Sequence, residues 1–167
     1  MNRSWADLVQ PAAQLNALYT SVPPLVAVTV RSIRLDRIGP SLTLRIDLPV
    51  FPQKPPQEWS AAGLDRLQCQ LRFTAVEHLD LTGWNPPATA DVGLEECGAR
   101  RIRVTAHSRS FGLTFEAADT VLIGHLSAFT AGEGETDAGP HQFVGKLDAH
   151  RFDRIPGLEE RTFYERI

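Results

Sequence analysis

Apolar and polar residues alternate along several stretches of the chain, as they do in β-strands that bury one face. The clearest stretch is SLTLRIDL, which places four apolar residues on one parity: Leu42, Leu44, Ile46 and Leu48. We expect these residues to face the core and the intervening Thr43, Arg45 and Asp47 to face outward. The segment LQCQLRFTA repeats the pattern, with Leu67, Cys69, Leu71, Phe73 and Ala75 inward and Gln68, Gln70, Arg72 and Thr74 outward.

A change of parity predicts a β-bulge in the strand before SLTLRIDL. Val26, Val28 and Val30 share one parity, whereas Ile33 and Leu35 share the other. A strand with a period of two cannot change faces without an extra residue, so the bulge is expected near Arg31 or Ser32. The segment DRIGPS then predicts a turn, because Gly39-Pro40 interrupts two alternating runs. The two strands should form a hairpin.

The remaining segments complete a fold that is mainly β. EHLDLTGW is expected to extend LQCQLRFTA or pair with it, and further strands are predicted at ADVGLEE, RRIRVTAH, FGLTFEA and TVLIGHLSAF. The proline-rich PVFPQKPPQEW cannot lie inside a sheet and predicts an irregular crossing closed by Trp59. Short connections without helical patterns favour antiparallel pairing. The expected fold class is mainly β (α+β), a single antiparallel sheet domain shaped as a sandwich or a half-open barrel.

The chain of 167 residues is expected to form one domain with four parts. Residues 1–20 form a helical N-terminal segment, in which Ser4 is a candidate N-cap and a short helix runs from about Pro11 to Tyr19. Residues 21–130 form the β-sheet core. Residues 131–140 (AGEGETDAGP) form a flexible, solvated acidic loop, and residues 141–167 add an edge strand at QFVGKLDA and a polar tail.

Charge and hydropathy limit the partners and the location of the protein. The 17 Lys+Arg and 20 Asp+Glu residues leave a net charge of -3, so bulk electrostatics favour neither nucleic acid nor an anionic membrane as a partner. The N-terminal MNRSWADLVQ lacks the apolar run of a signal peptide, and no window approaches the roughly 18 apolar residues of a membrane span. A cytoplasmic protein is expected.

Candidate chemistry is sparse, and the residues predict no catalytic, metal or cofactor site. The five histidines are not spaced as zinc ligands, and Cys69 and Cys97 form no CxxC pair. The acidic glycine-rich loop lacks calcium-loop spacing, and its glycines do not open a helix as a phosphate-binding loop would. Trp59 and Trp84 flank proline-rich breaks and are interpreted as lids on the rim of the sheet or as anchors in a partner interface.

Several ordered segments resemble the immunity protein 50 family. They are SWADLVQ, ALYTSVPPL, RLDRIGPSLTLRIDLPVFPQKPPQEW, LQCQLRF and LTGW, with RTFYERI similar to the end of the family's members. The resemblance implies a non-enzymatic bacterial protein that protects its producer by binding a cognate toxin. If that toxin is a basic nuclease, acidic residues are candidates for mimicking phosphate: Glu95, Glu96, Glu133, Glu135 and Asp137.

Two other functions stay open at this point. A sheet that closes on itself could hold a small apolar ligand, which would require a large dry pocket. A hydrolase that uses one histidine and a carboxylate would require titratable groups converging in a cleft. The sequence does not specify the oligomeric state or the toxin's chemistry.

Overall fold

The computed structural model describes residues 3–155 and contains, in that range, one open mixed sheet of ten strands with a few short helices. The strands are β1 (Val9–Gln10), β2 (Val28–Asp36), β3 (Ser41–Asp47), β4 (Arg66–Phe73), β5 (Glu77–Thr82), β6 (Ala88–Gly98), β7 (Arg101–His107), β8 (Gly112–Ala118), β9 (Val121–Phe129) and β10 (Gln142–Phe143). The α-helices are α1 (Ala13–Leu18), α2 (Gln57–Ala61) and α3 (Lys146–Arg151). Within the described range no helix is long and apolar enough to span a membrane.

The sheet curls so that its two halves share one core. The strand order is β1-β9-β4-β3-β2-β6-β7-β8-β5, and β10 pairs with β9. The beginning of β6 pairs with β2, while the rest of β6 pairs with β7 and so leads into the second half. The rings of Phe73 on β4 and Phe115 on β8 nevertheless lie 5.1 Å apart, edge to face. Strands that are distant in the sheet therefore face each other, and the expected mainly β fold is confirmed.

The expected register of the central strands is confirmed. Leu42 pairs with Phe73 and Leu44 with Leu71 across β3 and β4, and all four side chains are fully buried. They share the core with the inward residues of β7, β8 and β9: Ile102, Val104, Ala106, Leu113, Phe115, Ala117, Val121, Ile123, Leu126 and Ala128. Cys69 lies in the same core, where burial raises the pKa of its thiol and keeps it neutral.

The predicted hairpin and its bulge are both present. β2 and β3 pair in antiparallel fashion from Thr29↔Asp47 to Asp36↔Ser41. The register shifts between Val30 and Ser32, so Arg31 is the extra residue. Because of this bulge, two successive residues turn to the outer face, Arg31 beside Asp47 and Ser32 beside Arg45. Ile33 then returns to the core face, opposite Leu44.

The N-terminal segment contains the expected short helix, α1 (Ala13–Leu18), and adds a parallel strand pair. A 3₁₀ turn at Trp5–Leu8 is capped by Ser4, whose side chain accepts a hydrogen bond from the backbone of the turn. Val9–Gln10 then pairs in parallel with Val121 and Leu122 of β9, so the purely antiparallel sheet expected from the sequence was wrong at this edge. The pairing buries Val9 against a strand that would otherwise end the sheet.

Two further expectations about pairing and helix content were wrong. β5 pairs with β8 and not with β4. The backbone between β4 and β5 is held by other segments, since the Ala118 amide donates to the Thr74 carbonyl and the Val76 amide donates to the Pro40 carbonyl. These bonds lead the chain from β4 to the edge of β8. Of the predicted edge strand QFVGKLDA, only Gln142–Phe143 is a strand, and Lys146 begins α3. The expected tail at 156–167 lies outside the described residues.

Replacing Phe73 with alanine should lower the free energy of unfolding by about 3 to 5 kcal/mol, because a fully buried ring is lost and leaves a cavity. Urea denaturation monitored by circular dichroism measures this change. Leu35→Ala is the matched control, since Leu35 is an exposed apolar residue on the β2–β3 hairpin and should change stability by less than about 1 kcal/mol. Similar losses in both variants would contradict the assignment of Phe73 to the core.

Candidate functional site

A buried polar cluster lies on the face of the sheet opposite the core. It consists of Arg31, Arg45, Asp47, Gln68 and Asp137, and it is called the outer cluster below. Asp47 of β3 and Gln68 of β4 are register partners on the outward parity, and the bulge brings Arg31 of β2 beside them. The structure buries all three, with exposures of 3%, 3% and 8% for Asp47, Gln68 and Arg31. Asp47 and Gln68 thus lie on the outer face, as expected, but that face is covered at this point and their side chains are buried.

The hydrogen bonds of the outer cluster are centred on Asp47. Its Oδ2 atom accepts from Arg31 Nη2 at 2.6 Å and from Arg31 Nε at 3.0 Å. Its Oδ1 atom accepts from Gln68 Nε2 at 3.0 Å. The same Gln68 nitrogen donates to Asp137 Oδ2 at 2.7 Å, and Arg45 forms an ion pair with Asp137. Two guanidinium groups are thus balanced by two carboxylates, which is how proteins accommodate buried charges.

A segment from the C-terminal part of the chain covers the outer cluster. Residues 131–155 are called the arm below, and they include a 3₁₀ turn at Glu133–Glu135, β10 and α3. The Glu135 carbonyl accepts from Arg31 Nη1 at 2.5 Å, and the Glu135 side chain pairs with Arg66 at 2.7 Å. The arm's Asp137 is part of the cluster itself, so the expectation of a solvated loop was wrong for this residue. These contacts hold residues 131–140 against the sheet.

His141 fastens the arm in a defined protonation state. Its Nε2 atom lies 2.8 Å from the Asp137 carbonyl, which can only accept, so Nε2 carries the proton. Its Nδ1 atom then accepts from the Ser127 hydroxyl at 2.7 Å. The ring also stacks on Phe129 with centroids 4.6 Å apart. Burial lowers the pKa of His141 below its usual value, although the Asp137 carbonyl opposes the shift, and the neutral ring matches these bonds.

A bulge in β9 creates a second attachment point for the arm. The register of β4 against β9 shifts opposite Cys69, where His125 adopts a positive φ of 49°. His125 Nδ1 lies 3.1 Å from Asp148 Oδ2 of α3, and both residues are buried. The His125 ring meets Phe152 edge to face at 6.0 Å. The arm is therefore attached to β9 at two points, and at each point a histidine contacts a polar partner and an aromatic ring.

The two tryptophans singled out from the sequence lie in different surroundings. Trp59 belongs to α2 and is 3% exposed, with its ring 6.2 Å from Phe51 of the proline-rich crossing. Trp84 follows β5 and is half-buried, with its ring 5.3 Å from Phe111. Both pack against a second aromatic ring at a sheet end, as a lid would. A third tryptophan, Trp5, is also buried and donates from its indole to the Pro23 carbonyl at 2.8 Å.

The acidic candidates are dispersed over the molecule. Glu95 and Glu96 are exposed on β6, where Glu95 is the register partner of Arg103 and Glu96 pairs with Arg3 at 3.4 Å. Glu133 is exposed at the tip of the arm. Glu135 and Asp137 are engaged with arginines, as described above. The structure therefore groups the three arm residues with one another and places the β6 pair on a separate strand.

A groove of about 390 Å³ runs between α2 and the arm. Its walls include Trp59, Phe143 and Phe152, and its charged lining residues are Glu58 and Asp153, both exposed. The volume falls in the range of ligand pockets. A purely apolar ligand would have to displace water from two carboxylates, so the groove suits the small-ligand alternative poorly.

Three ligand-type side chains approach one another on the outer face of β5 and β8. Glu77, His78 and Glu116 can each offer one atom within 4.8 Å of the others. Both carboxylates already pair with arginines, Glu77 with Arg101 and Glu116 with Arg103, each at 2.9 Å. The hydrogen bond from Arg103 lowers the pKa of Glu116. A metal ion would therefore have to displace two ion pairs at an exposed surface.

A family comparison identifies the chain. The model of the family described as immunity protein 50 matches residues 12–124, which is more than half of the chain. The chain belongs to the immunity protein 50 family. No curated protein and no solved structure gives a significant match.

Sequence reasoning missed most of the outer cluster. Alternation places Asp47 and Gln68 on the outer face but does not show that this face is covered, and His141 lies in a segment without periodicity. One signal was available: the predicted bulge coincides with Arg31, and an arginine at a bulge can turn to the outer face. In this member of the immunity protein 50 family, the bulge was the sequence feature that pointed most directly to the outer cluster.

Replacing Asp47 with alanine should destabilise the protein by about 3 to 5 kcal/mol, because the buried Arg31 guanidinium loses its carboxylate. Chemical denaturation of wild type and variant gives the difference in free energy of unfolding. Glu133→Ala removes an exposed carboxylate from the arm and should change stability by about 0.5 kcal/mol or less. A small loss for Asp47→Ala would show that the outer cluster does not hold the fold together.

Protonation of His141 should destabilise the fold at mildly acidic pH. The pKa of His141 in the folded state lies below its unfolded value of about 6.5, so its contribution is complete above about pH 6.5 and is lost as pH falls toward the folded value. Thermal melts between pH 7.5 and 5 should show a smaller fall in melting temperature for His141→Gln than for wild type. The exposed His107→Gln should keep the wild-type fall, and equal falls in all three proteins would contradict this assignment.

Proposed function

We propose that this chain is a bacterial immunity protein that binds a cognate toxin and neutralises it without catalysis. The observation that carries the proposal is the match of residues 12–124 to the immunity protein 50 family. A toxin protein is the partner that this family implies. The proposed location is the cytoplasm of the producing cell, and neither nucleic acid nor a membrane is proposed as a partner.

The state of the titratable groups supports a non-catalytic role. Asp47 and Asp137 are held by arginines, and burial favours the neutral form of His141. A general acid or base needs access to a substrate proton and a pKa close to the working pH. Asp47 in particular is buried beneath the arm, where a substrate has no access to it. The outer cluster is therefore better suited to fixing the arm than to proton transfer.

The acidic surface of the arm and of β6 is the proposed contact for a basic toxin. Glu95 and Glu133 have exposed carboxylates, and Glu96 has only a solvent-exposed ion pair, which contributes little to stability. Glu135 and Asp137 contribute by holding the arm in place, because their side chains are bound to arginines. Complementary charge across such a surface speeds encounter with a basic partner.

Growth rescue and complex formation test the proposed function together. The toxin domain encoded by the adjacent gene should arrest growth when expressed alone, and co-expression of this chain should restore growth. The purified proteins should co-elute as a complex. Toxicity that persists with the chain present, together with separate elution, would refute the proposal. An unrelated immunity protein of similar size serves as the negative control for rescue.

Trp59 and Trp84 are proposed to act on toxin binding only through folding. Trp59→Ala should lower stability by about 3 to 5 kcal/mol, since its indole is buried in the core cluster. The half-buried Trp84 should cost less. Melting temperature and toxin affinity, measured on the same two variants, distinguish lids from interface anchors. A loss of about 2 kcal/mol or more in affinity at unchanged stability would identify an anchor instead.

A further inference from the structure

β5 ends the sheet and leaves one of its edges free. In the strand order it pairs with β8 only, and no other strand among the described residues pairs with its second edge. All six of its residues, Glu77–Thr82, are exposed. Gly83 follows with φ +65°, and a Cβ atom there would lie 1.7 Å from the Ser110 carbonyl oxygen, so a close backbone contact fixes the end of the strand. Backbone groups on such a free edge can pair with another strand.

Two rows of core side chains continue to this edge and become exposed there. In the first row, Ala106 of β7 pairs with Leu113 of β8, which pairs with Leu81 of β5. The exposure rises from 0% and 1% to 39% along the row. In the second row, Val104 pairs with the fully buried Phe115. On β5 the interrupted part of the ladder lies opposite Phe115, and Leu79 in that part is 40% exposed. The core face of the sheet thus ends in two half-covered leucines.

An added strand is the element that would cover these leucines. A strand paired with β5 would place every second side chain on the core face, next to Leu79 and Leu81. The residue between them would lie on the outer face, opposite Asp80. Such strand addition combines main-chain hydrogen bonds with side-chain contacts that alternate in sequence.

A second copy of this chain is a poor occupant of the edge. An antiparallel self-pairing that sets Leu79 opposite Leu81 also sets Asp80 opposite Asp80 of the other copy, and like charges in directly opposite positions are destabilising. Shifting the register by two residues centres the pairing on Leu81 or on Leu79. Centred on Leu81, it sets Leu79 opposite Gly83, which lies beyond the end of the strand and has a positive φ of 65°. The other shift centres the pairing on Leu79. The ladder to β8 is interrupted there, between Glu77 and Asp80, and His78 has a positive φ of 53°. None of these three registers gives a regular self-paired ladder that covers both leucines.

The charge of the edge indicates a basic partner. Glu77 and Glu116 are neutralised by Arg101 and Arg103. For Asp80, by contrast, no ion pair with a described residue is found. A lysine or arginine on an incoming strand, opposite Asp80, would supply the missing opposite charge.

We infer that the free edge of β5 receives an extended segment of the toxin, with an apolar–basic–apolar sequence aligned to Leu79, Asp80 and Leu81. This inference rests on the proposed function and specifies where the toxin binds. Binding at this edge differs from binding at the acidic arm, because it uses backbone hydrogen bonds and apolar side chains that cover Leu79 and Leu81.

Amide hydrogen exchange of the full chain, alone and with the toxin domain encoded by the adjacent gene, tests the site directly. The backbone amides of Glu77–Thr82 that point to the free edge should exchange at least tenfold more slowly in the complex. Leu81→Lys and Asp80→Lys should each raise the toxin's dissociation constant at least tenfold without lowering the melting temperature. Leu35→Lys and Asp65→Lys are matched controls on other exposed surfaces and should bind as wild type does.

The possible outcomes distinguish failure of the proposed β5 site from failure of the proposed function. If the toxin binds but β5 exchange and the affinities of the β5 variants are unchanged, the edge is not the site, and the proposed function stands. If the chain alone forms a dimer that Leu81→Lys dissociates, a second copy is the occupant and the inference is overturned. If wild type does not bind the toxin at all, both the proposed function and the inference fail.

Discussion

The buried ion pair between Arg31 and Asp47 constrains both the sheet and the segment that covers it. Charges removed from water are tolerated only when their remaining hydrogen-bonding groups are also satisfied. Asp47 meets this condition through Gln68 on the next strand, and Arg31 through the carbonyl of Glu135, 104 residues further along the chain. The bulge that supplies Arg31 and the arm that supplies Glu135 are therefore parts of one hydrogen-bonded arrangement.

The two faces of the sheet are covered in different ways. The core face is closed by curvature, which brings Phe73 and Phe115 into contact and leaves the two leucines of β5 at the margin. The outer face is covered by the arm over β2, β3, β4 and β9, where polar side chains are buried. Over β7 and β8 it carries solvent-exposed pairs such as Arg103–Glu116. Exposed pairs of this kind contribute little to stability, so this half of the outer surface is held by the core beneath it.

Alternation predicted the strands well because it is a local property. The inward residues of β3 and β4 and the bulge at Arg31 follow from parity alone. The resemblance to the immunity protein 50 family came from ordered segments, most of which lie within the matched range, whereas SWADLVQ and RTFYERI lie outside it. Pairings between distant segments were not accessible in the same way. The pairing of β5 with β8, the parallel β1 and the burial of Asp47 depend on backbone bonds and partners far away in the sequence. Parity could give the face of Asp47 but not what covers that face.

The end of the family match has a consequence for the boundaries of the fold. The match stops at residue 124, within β9, whereas the strand continues to Phe129 and the arm follows it. Cutting the chain at that point would divide β9 and uncover the guanidinium of Arg31. The segment beyond the match therefore shields charges that lie within it, and a fragment ended at residue 124 would lack part of its own cover.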